Sequence, residues 1–244
     1  MKIRTCLAMM LLGAASMAAW AAGPLQIDVD EDNAPFMFAR AGKAAGIYPA
    51  ILEAAFRHMN VPVQVEALPW KRAIQDIDAG TAGVGGIYKN AEREKKYDYS
   101  EPIFAEKLMV FFNREHPVGF AKVDDLKGKR VGVIRGWSYG DAFDNARKAN
   151  LFTVEETASD AQNFQKLAQG HLDVAVAIQE SGAALMTKDK NIVITATPLS
   201  QNPTYLTFAK SASQTAVLKA FDQAIKDMKK SGELRKLVQD ALAN

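Results

Sequence analysis

The fold is decided by residues 68–104, "LPWKRAIQDIDAGTAGVGGIYKNAEREKKYDYSEPIF". Residues 70–80 carry apolar side chains at helical spacing and end on a glycine, and residues 83–88 form a short glycine-rich strand or turn. A strand-helix-strand succession is the repeating unit of α/β proteins with parallel sheets. Residues 90–104 then place Arg93 seven residues ahead of a Ser-x-Pro turn. On its own, this stretch predicts only a solvated helix end that leads into a strand.

The same alternation continues on both sides of this segment. Residues 25–30 and 61–68 have strand character and flank a helix at 48–60, and a second cycle begins at Lys129. In that cycle, strands are predicted at 129–136, 152–157 and 174–178, with helices at 137–150 and 160–173. Two closing helices follow within residues 215–244. Two βα cycles of similar size predict an α/β protein with two lobes.

The joints between the lobes are predicted at residues 111–117, "FFNREHP", and 199–204, "LSQNPT". If the chain crosses at both, the first lobe is discontinuous. It then comprises residues 23–112 and 203–244, and the second lobe comprises residues 113–202. Such an arrangement leaves a ligand cleft between the lobes.

Residues 1–22 predict a signal for export. Lys2 and Arg4 precede an apolar run, and small residues surround Trp20 in an A-x-A arrangement, which is the pattern of a cleavable signal peptide. We therefore expect the mature protein in the periplasm. Cys6 is the one cysteine of the sequence and lies inside this segment, so no disulfide is expected in the mature chain.

Charge and motif content narrow the function. Removal of residues 1–22 takes two of the 30 Lys and Arg residues away, which leaves 28 against 28 Asp and Glu. A formally neutral chain lacks the basic footprint of a nucleic-acid-binding protein. The three histidines are far apart, and neither a metal-ligand spacing nor a G-x-S-x-G motif occurs. No cofactor and no metal site are predicted.

Together with residues 126–140, "LKGKRVGVIRGWSYG", and 167–178, "LAQGHLDVAVAI", the opening segment resembles the periplasmic solute-binding proteins of polar amino-acid ABC importers, the family 3 type. The resemblance runs through essentially the whole mature chain. It implies a type II periplasmic binding fold with two hinge crossovers, whose interlobe cleft closes on a small polar solute. It also implies a monomer that delivers an amino acid or related carboxylate to a permease in the inner membrane.

The resemblance assigns a carboxylate site in the first lobe. The family's pattern of Thr, Arg and aromatic-Ser-x-Pro falls on Asn90, Arg93 and residues 99–102, with Asn90 standing where a Thr is usual. In amino-acid binders the matching Arg binds the ligand carboxylate. A guanidinium suits this role because its paired donors match the geometry of a carboxylate.

The second lobe offers an anion site at the N-terminus of a predicted helix. Gly136 ends a predicted strand and a helix follows, and the first amides of a helix favour negative charge. The resemblance makes Ser138 a hydroxyl donor to the same carboxylate, with Trp137 and Tyr139 beside it. The alternative is that Ser138 only caps the helix. Arg135 either adds charge to the site or faces solvent.

The resemblance also implies aromatic side chains that line the ligand cleft. Trp70 sets a ring against the ligand or packs in a lobe core, Tyr88 is a further wall residue, and Arg72 points into the cleft or into solvent. The predicted ligand contacts are Asn33, Trp70, Arg72, Tyr88, Asn90, Arg93, Trp137, Ser138, Tyr139 and Glu180.

Two departures leave the ligand open. Asn33 stands where amino-acid binders usually have an aromatic residue, and Ile178 stands where the family's Asp pairs with the ligand's α-ammonium. Burying an ammonium without a carboxylate is costly. Either Glu180, Glu31 or Asp30 takes over, or the ligand is not an ordinary α-amino acid.

The main prediction is a binding protein and not an enzyme. Two alternatives remain on the same fold. One is an exported enzyme similar to cyclohexadienyl dehydratase, in which Glu180 is the acid. The other is a ligand-sensing module that reports to a membrane partner.

Overall fold

The computed structural model describes residues 23–243, so the predicted signal peptide lies outside the described residues. The strands are β1 (Leu25–Asp30), β2 (Asp32–Asn33), β3 (Met37–Arg40), β4 (Lys43–Ala45), β5 (Val63–Leu68), β6 (Gly83–Tyr88), β7 (Tyr97–Tyr99), β8 (Phe104–Asn113), β9 (Arg130–Ile134), β10 (Thr153–Thr157), β11 (Val174–Ile178), β12 (Ile192–Ile194) and β13 (Ser200–Ala209). The α-helices are α1 (Ile47–His58), α2 (Trp70–Ala79), α3 (Ala91–Lys96), α4 (Asp141–Lys148), α5 (Asp160–Ala168), α6 (Gln179–Met186), α7 (Thr215–Ser231) and α8 (Glu233–Ala243). Short 3-10 helices occupy Val123–Leu126 and Lys210–Ala212.

Two groups of parallel strands make up the large sheet, whose order is β10-β9-β11-β8-β13-β6-β1-β5. In each group the first strand lies between the second and the third: β1 lies between β5 and β6, and β9 lies between β10 and β11. Between the groups run the long strands β8 and β13, which pair antiparallel with each other. This arrangement confirms the predicted two-lobed α/β fold with two crossovers.

The two crossing strands pair where they pass from one group to the other. Residues 104–108 of β8 pair with residues 200–204 of β13. Residues 108–113 of β8 already pair with β11, which belongs to the second group, and with β12. The predicted lobe boundary after residue 112 stays a prediction. The strand pairing favours residues 104–108 as the place where the chain passes from the first lobe to the second.

The closing helices pack against α1, which itself contacts β5 and β6 of the first group of strands. Phe56 of α1 and Phe221 of α7 are fully buried, with ring centres 5.8 Å apart. Full burial of one such side chain contributes roughly 1.5–3 kcal/mol. Apolar side chains of α8 cover the same core. The end of the chain therefore stabilises the lobe in which the described chain begins.

Helix α6 is an element that the sequence analysis did not predict. It follows β11 directly, and its N-terminus has no side-chain cap. It packs closely on β8 because Gly182 has no side chain. A Cβ atom at Gly182 would lie 2.1 Å from Cζ of Phe111.

The predicted helix at residues 137–150 was too long, because α4 begins only at Asp141. Tyr139 turns its ring into the core beside Phe143, and its hydroxyl accepts a hydrogen bond from the amide of Ile134 over 2.7 Å. This contact holds residues 137–140 outside the helix. Across residues 23–243, none of the helices combines the length and the apolar character that a membrane span requires.

Candidate ligand-binding site

Topology places the site at the carboxyl ends of β1 and β9. In open α/β sheets, ligands bind in the crevice beside the strand at which the strand order reverses. Here the two such crevices face each other, and the indole Nε1 of Trp137, just after β9, donates to Oδ2 of Asp30 at the end of β1 over 2.9 Å. The two lobes therefore meet through their strand ends.

The main-chain carbonyl of Gly136 is the second meeting point. It accepts a hydrogen bond from Nε1 of Trp70 over 3.2 Å and another from Nη2 of Arg93 over 3.3 Å. The Trp70 ring lies edge-on to that of Trp137, with centres 6.0 Å apart, and the guanidinium carbon of Arg93 lies 5.9 Å from the Trp70 ring centre. Three predicted contacts, Trp70, Arg93 and Trp137, are thus brought together.

Arg93 is half-buried, and no carboxylate of the described part of the chain pairs with it. Its Nη1 donates to the carbonyl of Tyr88 over 3.1 Å, so both hydrogen-bond acceptors of the guanidinium are neutral main-chain oxygens. None of the ion pairs formed within residues 23–243 includes Arg93. Burial lowers the pKa of Arg93, which reflects the cost of removing its charge from water. An incoming anion would relieve that cost.

Asn90 positions the helix that carries Arg93. Its Oδ1 accepts from the amide of Arg93 over 2.8 Å and so caps α3, as an Asn at this position commonly does. Its Nδ2 donates to Oγ of Ser138 in the second lobe over 2.9 Å. The Asn that replaces the family's Thr is therefore both a helix cap and an interlobe contact.

The start of α4 differs from the predicted anion site. The N-cap is Gly140 and not Ser138, so the capping alternative for Ser138 was wrong. The carboxylate of Asp144 already occupies the anion position: its Oδ2 accepts from Oγ of Ser138 over 2.5 Å and its Oδ1 from the amide of Tyr139 over 3.2 Å. A ligand carboxylate bound to Ser138 would compete with Asp144.

A buried carboxyl that the sequence analysis missed lies on the crossover strand β8. Glu106 is 2% exposed, and the hydroxyls of Tyr48 and Tyr88 donate to its two oxygens. Burial raises the pKa of Glu106 to about 8, partly offset by these two hydrogen bonds. The signal was present in β8, where Phe104, Glu106, Leu108 and Val110 alternate onto one face.

A small cavity connects these groups. Its lining residues are Met37, Trp70, Gly86, Tyr88, Arg93, Glu106, Trp137 and Ser138. It has room for about 10 Å³, roughly one water molecule, whereas small-molecule sites usually measure ≈ 300–1,000 Å³. The cleft between the lobes is therefore closed at this point. A groove of about 600 Å³ between α3 and α4 leads to Arg93 and Ser138 from outside.

Two predicted contacts lie away from the cavity. The side chain of Arg72 is 63% exposed and pairs with Asp76 over 2.8 Å on the outer surface. Tyr139 is buried in the core of the second lobe. Neither side chain lines the cavity, although the Tyr139 ring lies 6.2 Å from that of Trp137, measured between ring centres.

Asn33 and Glu180 lie at another contact between the lobes. Asn33 is 1% exposed, and its Oδ1 lies 3.0 Å from Oγ of Ser181, the neighbour of Glu180 in the first turn of α6. Glu180 is exposed but close enough to Glu106 to raise the pKa of that carboxyl. In the part of the chain that the structure describes, no cluster of His, Cys, Asp and Glu is arranged to hold a metal ion.

Fold and site together define a two-lobed α/β binding protein of the type II periplasmic class. The family model for bacterial extracellular solute-binding proteins, family 3, matches residues 25–243. The chain belongs to this family. The L-cystine-binding protein TcyJ of Escherichia coli K12 is 25% identical over 221 residues, which cover 88% of this chain and 81% of that protein.

Solved structures share the fold. The substrate-binding protein of an amino acid ABC transporter superposes with a TM-score of 0.75 at 24% identity, covering 91% of this chain and 100% of that one. An ancestral amino acid-binding protein, described as a precursor of cyclohexadienyl dehydratase, superposes with a TM-score of 0.73 at 22% identity, covering 89% and 95%. Binding proteins and the precursor of an enzyme thus share this architecture.

Proposed function

We propose that this protein captures a small carboxylate-bearing solute, an amino acid or a related compound, between its lobes and delivers it to an ABC permease in the inner membrane. It works in the periplasm as a monomer and catalyses no reaction. The observation that carries the proposal is the half-buried Arg93 at the lobe interface, whose guanidinium donates, within residues 23–243, to main-chain carbonyls and to no carboxylate. A solute carboxylate supplies the missing negative charge.

Binding proceeds through opening and closure of the lobes. The cavity is too small for a solute when the lobes touch, so the ligand enters an open form and binds first to Arg93 and Trp70. Arg93 then exchanges the carbonyl of Gly136 for the ligand carboxylate. Rotation about residues 104–108 and 200–204 brings Trp137 and Ser138 over the bound solute. The permease recognises this closed form.

The name of one relative supports an amino acid as the solute, since the E. coli protein is described as binding L-cystine. The cavity adds two indole rings and a phenol, from Trp70, Trp137 and Tyr88, which cover the apolar part of a bound molecule. These contacts do not specify which side chain the solute carries.

Glu106 favours a second candidate, an enzyme similar to cyclohexadienyl dehydratase. A carboxyl with a pKa of about 8 is mostly protonated at pH 7. It can therefore protonate a leaving hydroxyl group while a prephenate-like substrate loses carbon dioxide. Glu180, the acid expected from the sequence, is exposed and suits this role less well.

A thermal-shift screen of the chain without residues 1–22 tests the proposal. The compounds are the proteinogenic amino acids, L-cystine, dicarboxylates, polyamines and prephenate. A ligand that binds only the folded state raises Tm. We expect stabilisation by at least one amino acid or carboxylate, and a screen without any such hit contradicts the proposal. Conversion of prephenate during the assay would establish the enzyme instead.

A further inference from the structure

The interlobe cavity carries one cation and one carboxyl on different walls. Among its lining residues, Arg93 is the one basic side chain and Glu106 the one acidic side chain. They do not pair with each other, because neither appears in an ion pair of residues 23–243. Once the Glu106 carboxyl is ionised, a cavity with these two groups on separate walls is complementary to a zwitterion.

Glu106 can accept a further donor. A carboxylate has about four lone-pair sites, and the hydroxyls of Tyr48 and Tyr88 use one on each oxygen. These bonds fix the carboxyl plane from α1 and β6 and leave acceptor sites free. The carboxyl is thus held in place before a ligand arrives, which lowers the entropic cost of binding.

Among residues 23–243, no other buried carboxyl lines this cavity. Ile178 stands where the family's ammonium-binding Asp is expected, and Glu180 is exposed. Asp30 is engaged by Nε1 of Trp137, and Asp144 by Ser138 and the amide of Tyr139. Glu106 is the carboxyl that borders the cavity itself.

We propose that Glu106 binds the ammonium group of the solute while Arg93 binds its carboxylate. Glu106 thereby selects amino acids over carboxylic acids that lack an amino group. This inference rests on the proposed function and names the solute class for that site. The ammonium-binding group would then come from the crossover strand β8 and not from the end of β11.

If Glu106 binds the ammonium group, ligand binding should release a proton from the Glu106 carboxyl. The groups that act on Glu106 are Tyr48, Tyr88, Glu180 and Asp160, with Arg93 across the cavity. In the ligand-free protein the pKa of Glu106 is raised to about 8, so the carboxyl is mostly protonated at pH 7. An arriving ammonium favours the ionised form, so binding expels close to one proton. Affinity should rise about tenfold per pH unit well below pH 8 and level off above it.

The test compares Glu106→Gln with the wild-type chain without residues 1–22. The probes are the proteinogenic L-amino acids, L-cystine and the 2-hydroxy acids with matching side chains. Loss of one partner of a buried charge pair costs at least about 2 kcal/mol, so the variant should bind the amino acid at least about thirtyfold more weakly. Binding of the matching 2-hydroxy acid should change by less than about threefold.

Asp28→Asn is the matched control. Asp28 is buried in the same lobe, and burial raises the pKa of its carboxyl, but it does not line the cavity. This variant should keep the amino-acid preference of the wild type. The Tm of each ligand-free variant shows whether the fold has been retained. Titration calorimetry of the wild type in buffers of different ionisation enthalpy measures proton release without any substitution.

The outcomes separate the inference from the proposed function. If Glu106→Gln binds the amino acid as tightly as the wild type, or if binding releases no proton, the inference is wrong and the receptor function stands. If the wild type binds only acids without an amino group, the inference is also wrong. If the wild type binds none of the amino acids and carboxylates, the proposed function fails with it.

Discussion

Nη2 of Arg93 lies 3.3 Å from the main-chain carbonyl oxygen of Gly136, and this hydrogen bond joins one lobe to the other. The same carbonyl accepts a hydrogen bond from Nε1 of Trp70. A neutral carbonyl satisfies a guanidinium donor but supplies no net charge, whereas a carboxylate supplies both. We therefore regard this contact as the place that the solute takes when the lobes close on it.

Arg93→Lys should weaken ligand binding. Lysine keeps the positive charge but loses the paired donors that match a carboxylate. We expect a loss of about 1.5–3 kcal/mol, which is roughly a ten- to 150-fold rise in Kd, measured by calorimetry with a hit from the screen.

Arg72→Lys is the control for that variant, because Arg72 is exposed and pairs with Asp76 outside the cavity. It should bind like the wild type. Equal effects of the two substitutions would show that Arg93 has no special role.

Trp137→Phe should favour the open arrangement of the lobes. It removes the donor to Oδ2 of Asp30 but keeps most of the ring contact with Trp70. One hydrogen bond contributes about 1 kcal/mol, so ligand binding should weaken about fivefold. Calorimetry measures the loss, and unchanged affinity would mean that this contact does not stabilise the closed form.

The stability of the ligand-free protein should fall as pH rises from about 5 to about 8. Burial raises the pKa of Glu106 and of Asp160 to about 8, so between these pH values the folded state binds more protons than the unfolded state. Each carboxyl contributes at most about 1.4 kcal/mol per pH unit to this decrease. Urea unfolding across the range measures the slope.

Substitution of the two carboxyls checks the cause of that slope. Glu106→Gln combined with Asp160→Asn should flatten it near the upper end of the range, because burial raises the pKa of Asp30 to about 6 and this carboxyl still contributes at lower pH. Asp227→Asn on the exposed face of α7 should leave the slope unchanged. A stability that rises with pH over this range would contradict the assignment.

Gly86→Ala should disturb the carboxyl cluster. Gly86 has a φ of +77°, and a Cβ atom there would lie 2.6 Å from Cδ2 of Tyr48. Backbone strain and displacement of Tyr48 should together cost about 1–3 kcal/mol of stability. Tyr48 could then no longer hold Glu106, so ligand affinity should fall as well. An unchanged Tm in thermal unfolding would count against this local packing.

Much of the fold could be predicted because periodicity and glycine stops are local signals. The helix at Trp70–Ala79 ends at Gly80 as expected, and the strands at Leu25–Asp30 and Val174–Ile178 lie where the apolar runs placed them. The start of α4 could not be predicted, because helical spacing does not reveal that the Tyr139 hydroxyl accepts a hydrogen bond from the amide of Ile134 and that its ring packs beside Phe143. Helix α6 lacked both a cap and a clear apolar stripe.

The site was predicted unevenly for a similar reason. The resemblance pointed to Arg93, Trp70 and Trp137, which the structure brings together. It also pointed to Arg72, which lies on the outer surface. Glu106 was missed because it looked like one charge in a strand. Its burial follows from the pairing of β8 with β13 and from two tyrosines that are 58 and 18 residues away in sequence.

Small-angle X-ray scattering of the chain without residues 1–22 tests the central claim most directly, with and without a saturating ligand that thermal shift has verified. If the solute is enclosed between two hinged lobes, the radius of gyration should fall on saturation as the open form is lost. An unchanged scattering curve with the same verified ligand would contradict binding by closure of the lobes.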